Sequence, residues 1–170
     1  MAELEVLLDA NRAFAEAFDH GKLPASPPRS VAVLTCMDAR LHPERFLGLR
    51  PGDAHVIRNA GGRASEDAIR SLIVSSHLLG TKEFLVIHHT DCGMLSSSDD
   101  ELRTRLAEGT EADTWTRALL TFPDLDQGVV QDVRRIVGSP FLPPRVSVSG
   151  HVYDVRTGRL RPVASPIETG

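Results

Sequence analysis

The chain has 170 residues, 41% hydrophobic and 25% charged, which suits one domain with one core and excludes an intrinsically disordered chain. With 19 Lys plus Arg against 23 Asp plus Glu, its net charge of −4 offers no cationic excess for a nucleic-acid backbone. No apolar run approaches the roughly 20 residues that span a bilayer. The acidic start Met1-Ala2-Glu3-Leu4-Glu5 does not read as a secretory leader, and two cysteines are too few for a disulfide scaffold. A cytoplasmic protein is expected.

In chain order, Leu4, Leu7, Leu8, Phe14 and Phe18 fit one helical face, which Gly21, Pro24, Pro27 and Pro28 stop. Residues 1–30 are therefore expected to be a helical arm with a Pro-rich linker, and 31–170 an α/β core, together one domain. Residues 31–35 are a β-branched run ending at Cys36, suited to a buried parallel strand. Pro43 and Gly48 bracket a turn or two of helix, and Pro51-Gly52 leads into a second strand at 54–57. Asn59-Ala60-Gly61-Gly62 reads as a backbone-exposing loop. Ser65 then caps a helix carrying Ile69, Leu72, Ile73 and Leu79, which Gly80 closes.

Phe84-Leu85-Val86-Ile87 is the strongest strand signal, within Glu83–His89. Beyond a loop at 90–98, Ser98 and Glu101 make a capping box for a surface helix anchored only by Leu102 and Leu106. Residues 124–137 read as another helix, ended by Gly138 and Pro140, and Trp115 reads as a packing residue. The last strand runs through Val146, Val148 and residues 152–155 to a hairpin return at Thr157-Gly158. Strands alternating with helices predict an open, mostly parallel α/β sheet flanked by helices, with the N-terminal arm and a C-terminal antiparallel hairpin strand.

Cys36 follows the first strand, and Cys92 lies three residues beyond His89 after the third. Carboxyl ends of strands are where open α/β sheets bind ligands. Two thiolates and an imidazole suit tetrahedral Zn²⁺ and leave a fourth position for water or substrate. On bare spacing, buried and inert cysteines compete with that reading. Asp38, two residues past a candidate ligand, can orient a metal-activated hydroxide or fill the fourth position itself. Arg40 can hold its carboxylate by a bidentate pair, although an isolated D-x-R reads as a surface ion pair. Gly61 and Gly62 can bring backbone amides to an oxygen of a small anion or form an ordinary turn. Strand alternation turns the His88 side chain away from that of His89. His42, His55 and His151 carry no feature that marks a proton carrier.

Cys36-x-Asp38-x-Arg40, Arg58-Asn59-Ala60-Gly61 and His89-x-x-Cys92-Gly93 together resemble, in order and separation, the motifs of the β-class carbonic anhydrases, on a short-chain bacterial-type branch. The match runs from about Val31 to Met94, and Tyr153-Asp154 with Thr157-Gly158 resembles that family's last hairpin. The resemblance implies zinc held by Cys36, His89 and Cys92, an Asp38/Arg40 dyad, and Gly61 facing substrate. It also implies reversible hydration of carbon dioxide to bicarbonate, with no nucleic-acid or membrane partner, by a homodimer or higher homo-oligomer whose arm embraces a neighbour. Two thiolates leave the zinc nearly neutral, so its water should be less acid than in a three-imidazole site and activity should rise toward alkaline pH.

Departures from the pattern are His88, where better-known members have Gly, and Val33, where members with a regulatory bicarbonate trap have Trp. Short relatives of this branch include hydrolases of carbonyl sulfide and carbon disulfide, so the same zinc site acting on those molecules is the first alternative. A non-catalytic zinc/thiol redox sensor using Cys36 and Cys92 is the second. A thiol phosphatase is excluded, because its Cys-x5-Arg loop needs Arg where the chain has His42.

Overall fold

A computed structural model describes residues 2–108 and 118–170; Trp115 lies outside them. The elements are α1 (Glu3–Glu16), β1 (Val31–Cys36), α2 (Pro43–Phe46), β2 (Ala54–Asn59), α3 (Glu66–Leu79), β3 (Glu83–His89), α4 (Asp99–Glu108), α5 (Leu125–Val137), β4 (Ser147–Tyr153) and β5 (Leu160–Glu168). Local chemistry sets several ends. Ser65 Oγ accepts from the Ala68 amide at the start of α3, and Gly80 ends that helix in a left-handed conformation with φ 74°. Ser98 and Glu101 exchange the two hydrogen bonds of the expected capping box, and Asp124 caps α5 through the Gln127 amide. The second strand runs two residues past its expected end, through Arg58 and Asn59, because both pair with β1.

The sheet order is β2-β1-β3-β4-β5, parallel except for the antiparallel pairing of β4 with β5. The expected hairpin strand is thus β5. Being central, β1 is buried from Ala32 to Cys36, which its continuous apolar run foreshadows. Ala68 and Leu72 of α3 and Val129, Val133 and Ile136 of α5 complete the main core against Ala32, Leu34, Phe84, Val86, Val148 and Val152. The arm differs: α1 buries none of its described residues, and Leu4, Leu7, Leu8 and Phe14 on it, with Phe18 just beyond, stay exposed. No helix among the described residues is long and apolar enough to cross a membrane.

Alternation along β3 sends His88 and His89 to opposite faces, and both are fully buried. His88 Nε2 lies 3.0 Å from Asp132 Oδ2 on α5, and Arg63 reaches the same carboxylate with Nη2 3.2 Å from Oδ1 and Nε 2.8 Å from Oδ2. The Arg63 guanidinium also lies over the Phe122 ring, 4.8 Å from its centroid. His88 therefore packs in the core, hydrogen-bonded to the buried Arg63–Asp132 ion pair that ties α5 to the segment after β2. Removing one partner of such a pair leaves an uncompensated buried charge, which costs about 3–5 kcal/mol. Asp132→Ala should lower the unfolding free energy by that amount in urea titrations, and Arg63→Met combined with Asp132→Leu should recover most of it. A single variant as stable as the parent would show that the ion pair contributes nothing to the fold.

Candidate metal centre

Adjacent strands β1 and β3 leave the sheet in opposite senses, β1 toward β2 and β3 toward β4. The carboxyl ends of such a pair form a crevice, and Cys36 and His89 are the last residues of those two strands. The loop after β3 returns Cys92 to the same place. One candidate ligand atom from each of Cys36, His89 and Cys92 lies within 4.8 Å of the others, and all three residues are buried. His89 Nδ1 donates to the Thr90 carbonyl at 2.9 Å, which turns Nε2 toward the sulfurs as the ring atom that can take a cation. That nitrogen is buried and has no hydrogen-bond partner among the described residues. Leaving a buried polar atom poorly paired costs roughly 1–3 kcal/mol, and an imidazole nitrogen beside two sulfurs is a donor set that fits a soft or borderline cation.

The two thiols share protons unequally. Cys36 is brought down to about 4, chiefly by a hydrogen bond from Cys92, with His89 and the Asp38 and Gly61 amides adding to it against the cost of burial. The neighbouring Cys36 sulfur and burial push Cys92 the other way, above the usual thiol range. Both thiols are free, and a cation would replace the proton that the pair retains.

Arg40 holds Asp38 through Nε to Oδ1 at 3.0 Å and Nη2 to Oδ2 at 2.7 Å, while its own amide donates to Oδ1 at 2.9 Å. These bonds keep the Asp38 carboxyl well below the usual carboxylate range against a smaller opposing effect of burial. Asp38 Oδ2 is 3.8 Å from His89 Nε2, so the carboxylate borders the donor cluster without bonding to it.

The Arg58-Asn59-Ala60-Gly61 motif acquires a physical reason. Arg58 donates to the carbonyls of Cys36 and Asp38 and so fixes the backbone on both sides of Met37. Asn59 staples the next turn, its Oδ1 accepting from the Arg63 amide at 2.7 Å and its Nδ2 donating to the Arg63 carbonyl at 2.8 Å. Gly61 directs its amide at the Cys36 sulfur, and an added Cβ there would lie 3.1 Å from Met94 Cγ. Gly62 has φ +67°, and an added Cβ would meet the Cys36 amide nitrogen at 2.9 Å. Around the cluster pack Leu41 and Phe122, with Phe46, Met94, Leu95, Leu125 and Tyr153.

Cys36, Asp38, Arg40, His89 and Cys92 are therefore brought together, and Gly61 lies against them. Neither His55 nor His151 joins them: His55 bonds to Ser75 and the Ala25 carbonyl, and His151 to Ser149. Two residues were not singled out from sequence. Asp91 lies within the His89-x-x-Cys92 motif and bonds Arg40. Asp132 is a charge buried on α5 beside Val129, Val133 and Ile136, and its place among those apolar residues is the signal that could have found it.

The carbonic anhydrase family model matches residues 31–124. Beta-carbonic anhydrase 1 of Mycobacterium tuberculosis (strain H37Rv) is 45% identical over 144 residues, covering 84% of this chain and 87% of its own length. The carbon disulfide hydrolase of Saccharolobus solfataricus is 36% identical over 156 residues, covering 78% and 76%. The crystal structure of carbonic anhydrase from Streptococcus mutans matches with a TM-score of 0.91 at 41% identity, over 96% of this chain and 98% of that one.

The close packing behind Cys36 makes Gly62→Ala a sharp probe. A left-handed backbone with a Cβ costs roughly 1–3 kcal/mol before any clash, so this variant should unfold at lower denaturant and take up cobalt poorly. At Gly93, where an added Cβ meets nothing within 4 Å, alanine should change neither. Equal behaviour of the two variants would contradict the close approach.

Proposed function

The chain belongs to the carbonic anhydrase family, in its β class, and from that premise we propose that it catalyses the zinc-dependent, reversible hydration of carbon dioxide to bicarbonate and a proton. The observation that carries this reading is the buried Cys36, His89 and Cys92 cluster with its unpartnered His89 Nε2. The sulfurs of Cys36 and Cys92 and His89 Nε2 would hold the ion. When bound, zinc would supply a Lewis acid that acidifies water and stabilises negative charge developing on oxygen.

The chain's own groups account for the rest. The Thr90 carbonyl holds the His89 tautomer, and the Asp38 and Gly61 amides support the Cys36 thiolate. Asp38, ionised and aimed by Arg40, accepts a hydrogen bond from the reacting water and orients its attack. Released from Arg40, the same carboxylate would compete for the metal. Leu41, Met94, Leu95 and Phe122 supply apolar walls for a linear, uncharged substrate. The role proposed for Gly61 toward substrate is the room left where a side chain would press on Met94.

We further propose that the chain acts as a homodimer or higher homo-oligomer, since the exposed apolar residues of α1 want a covering surface that a second copy can offer. Two free thiols in the site favour a reducing, cytoplasmic setting. Similarity to carbon disulfide hydrolases supports one alternative substrate class, because attack on carbon disulfide needs the same donor set.

Purified protein should carry one zinc per chain by elemental analysis, and Cys36→Ser should lose it. Asp38→Ala should keep the metal and lose carbon dioxide hydration by on the order of 10²-fold or more in kcat/KM. Stopped-flow hydration and sulfide release from carbon disulfide, run in parallel, separate the two substrates. A hydration rate no better than buffer, beside rapid sulfide release, would make the chain a carbon disulfide hydrolase. Metal-free, inactive protein would sink both readings.

A further inference from the structure

The Asp38 carboxylate has two possible partners, Arg40 and the metal, so whatever holds Arg40 decides where Asp38 rests. Arg40 is a poor anchor by itself. Its side chain is 47% exposed, and a long exposed arginine loses rotamer freedom to hold one geometry. The structure supplies a second hold. One edge of the planar guanidinium, Nε and Nη2, faces Asp38. The other edge faces Asp91, with Nη1 donating to Oδ2 at 2.8 Å and Nη2 to the backbone carbonyl at 3.0 Å.

Asp91 can present side chain and carbonyl to one guanidinium because its backbone is left-handed, with φ 58°, a conformation that Asp and Asn adopt more readily than most residues. It sits between His89 and Cys92, so the hold on Arg40 comes from the ligand loop itself.

We propose that Asp91 is a positioning residue: by pinning Arg40 to the ligand loop, it keeps the Asp38 carboxylate on Arg40 and off the metal's open position. The proposal rests on the zinc reading of the site. Ordering Arg40 through one edge removes most of the entropy that the other edge would otherwise lose, so the two pairs reinforce each other. Repulsion between the two carboxylates is the smaller effect, because each takes its own edge and Asp91 is exposed to solvent.

Two variants separate the carboxylate from the backbone. Asp91→Gly tolerates the left-handed turn and removes the side chain, whereas Asp91→Asn keeps the turn and one acceptor oxygen but loses the charge. In ¹⁵N spectra of the purified full-length chain, the Arg40 Nε–Hε proton should exchange with solvent faster in Asp91→Gly, and to an intermediate degree in Asp91→Asn. In cobalt-loaded protein, azide titrated by visible absorption competes with Asp38 for the open position. Its apparent affinity should fall by up to about fivefold in Asp91→Gly, and by less in Asp91→Asn, at unchanged cobalt stoichiometry.

Unchanged Nε–Hε exchange or unchanged azide affinity in Asp91→Gly would overturn the role of Asp91 while leaving the zinc reading intact. Loss of cobalt binding in Asp91→Gly would overturn it too, by making the residue part of the loop's fold. A parent chain that takes up no cobalt would overturn the zinc reading, and the proposal with it.

Discussion

A ring nitrogen enclosed with two sulfurs away from water, and without a well-formed hydrogen bond among the described residues, is the constraint around which the molecule is arranged. Such a group is costly to bury, and thiolates beside it are costlier. The surrounding chain lowers that cost before any ion arrives. The Thr90 carbonyl fixes the His89 tautomer, the amides of Asp38 and Gly61 face the Cys36 sulfur, and the retained proton of Cys92 keeps the sulfur pair from carrying two charges. Within this cluster, His89 Nε2 is left without a hydrogen bond among the described residues, a position that a soft or borderline cation fits.

The requirement propagates outward through backbone. Amides can face Cys36 only if the Gly61-Gly62 turn comes close to the end of β1, and its left-handed angles and the short distance from Gly62 to Cys36 show how little space is left. Asn59 closes the turn and Arg58 ties β2 to the carbonyls beside Met37. Arg63, at the end of the turn, is held by Asp132, which also holds His88. Since His88 is the strand neighbour of His89, the two faces of β3 carry two buried polar clusters, one built on the Arg63–Asp132 ion pair and one on the candidate metal ligands. Rigidity in the first limits how far the second can relax.

Much of this was legible in the sequence because its signals are local. The continuous apolar runs, the Ser65 cap, the Ser98/Glu101 box and the Pro and Gly breaks each act over a few residues and place the elements to within about two positions, as the extension of β2 through Asn59 illustrates. Cys36 and His89 could be placed at strand ends, and strand ends in an α/β sheet converge. The sheet order was not legible, since it depends on which apolar faces match in three dimensions. Arg63 meets Asp132 from 69 residues away, and neither carries a local pattern that names the other. His88 was read correctly as turned from the site, but its partner was hidden for the same reason. Asp91 is not legible in the sequence because its partner Arg40 lies 51 residues away and its left-handed backbone has no signature beyond the residue type.

Selectivity for substrate has to come from outside the donor set. Carbon dioxide and carbon disulfide are both linear and uncharged with an electrophilic carbon, so the sulfurs, the imidazole and Asp38 treat them alike. The larger sulfur atoms differ in the room they need and in their attraction to apolar surface. Discrimination therefore falls to the side chains packed around the cluster, Leu41, Met94, Leu95 and Phe122. Met94 follows Cys92 by two residues, its Cγ would lie only 3.1 Å from a side chain at Gly61, and its flexible thioether can fill or vacate space more cheaply than a branched residue can. The donor set does not separate the two molecules, so size and apolar contact around it are the physical differences left to act on.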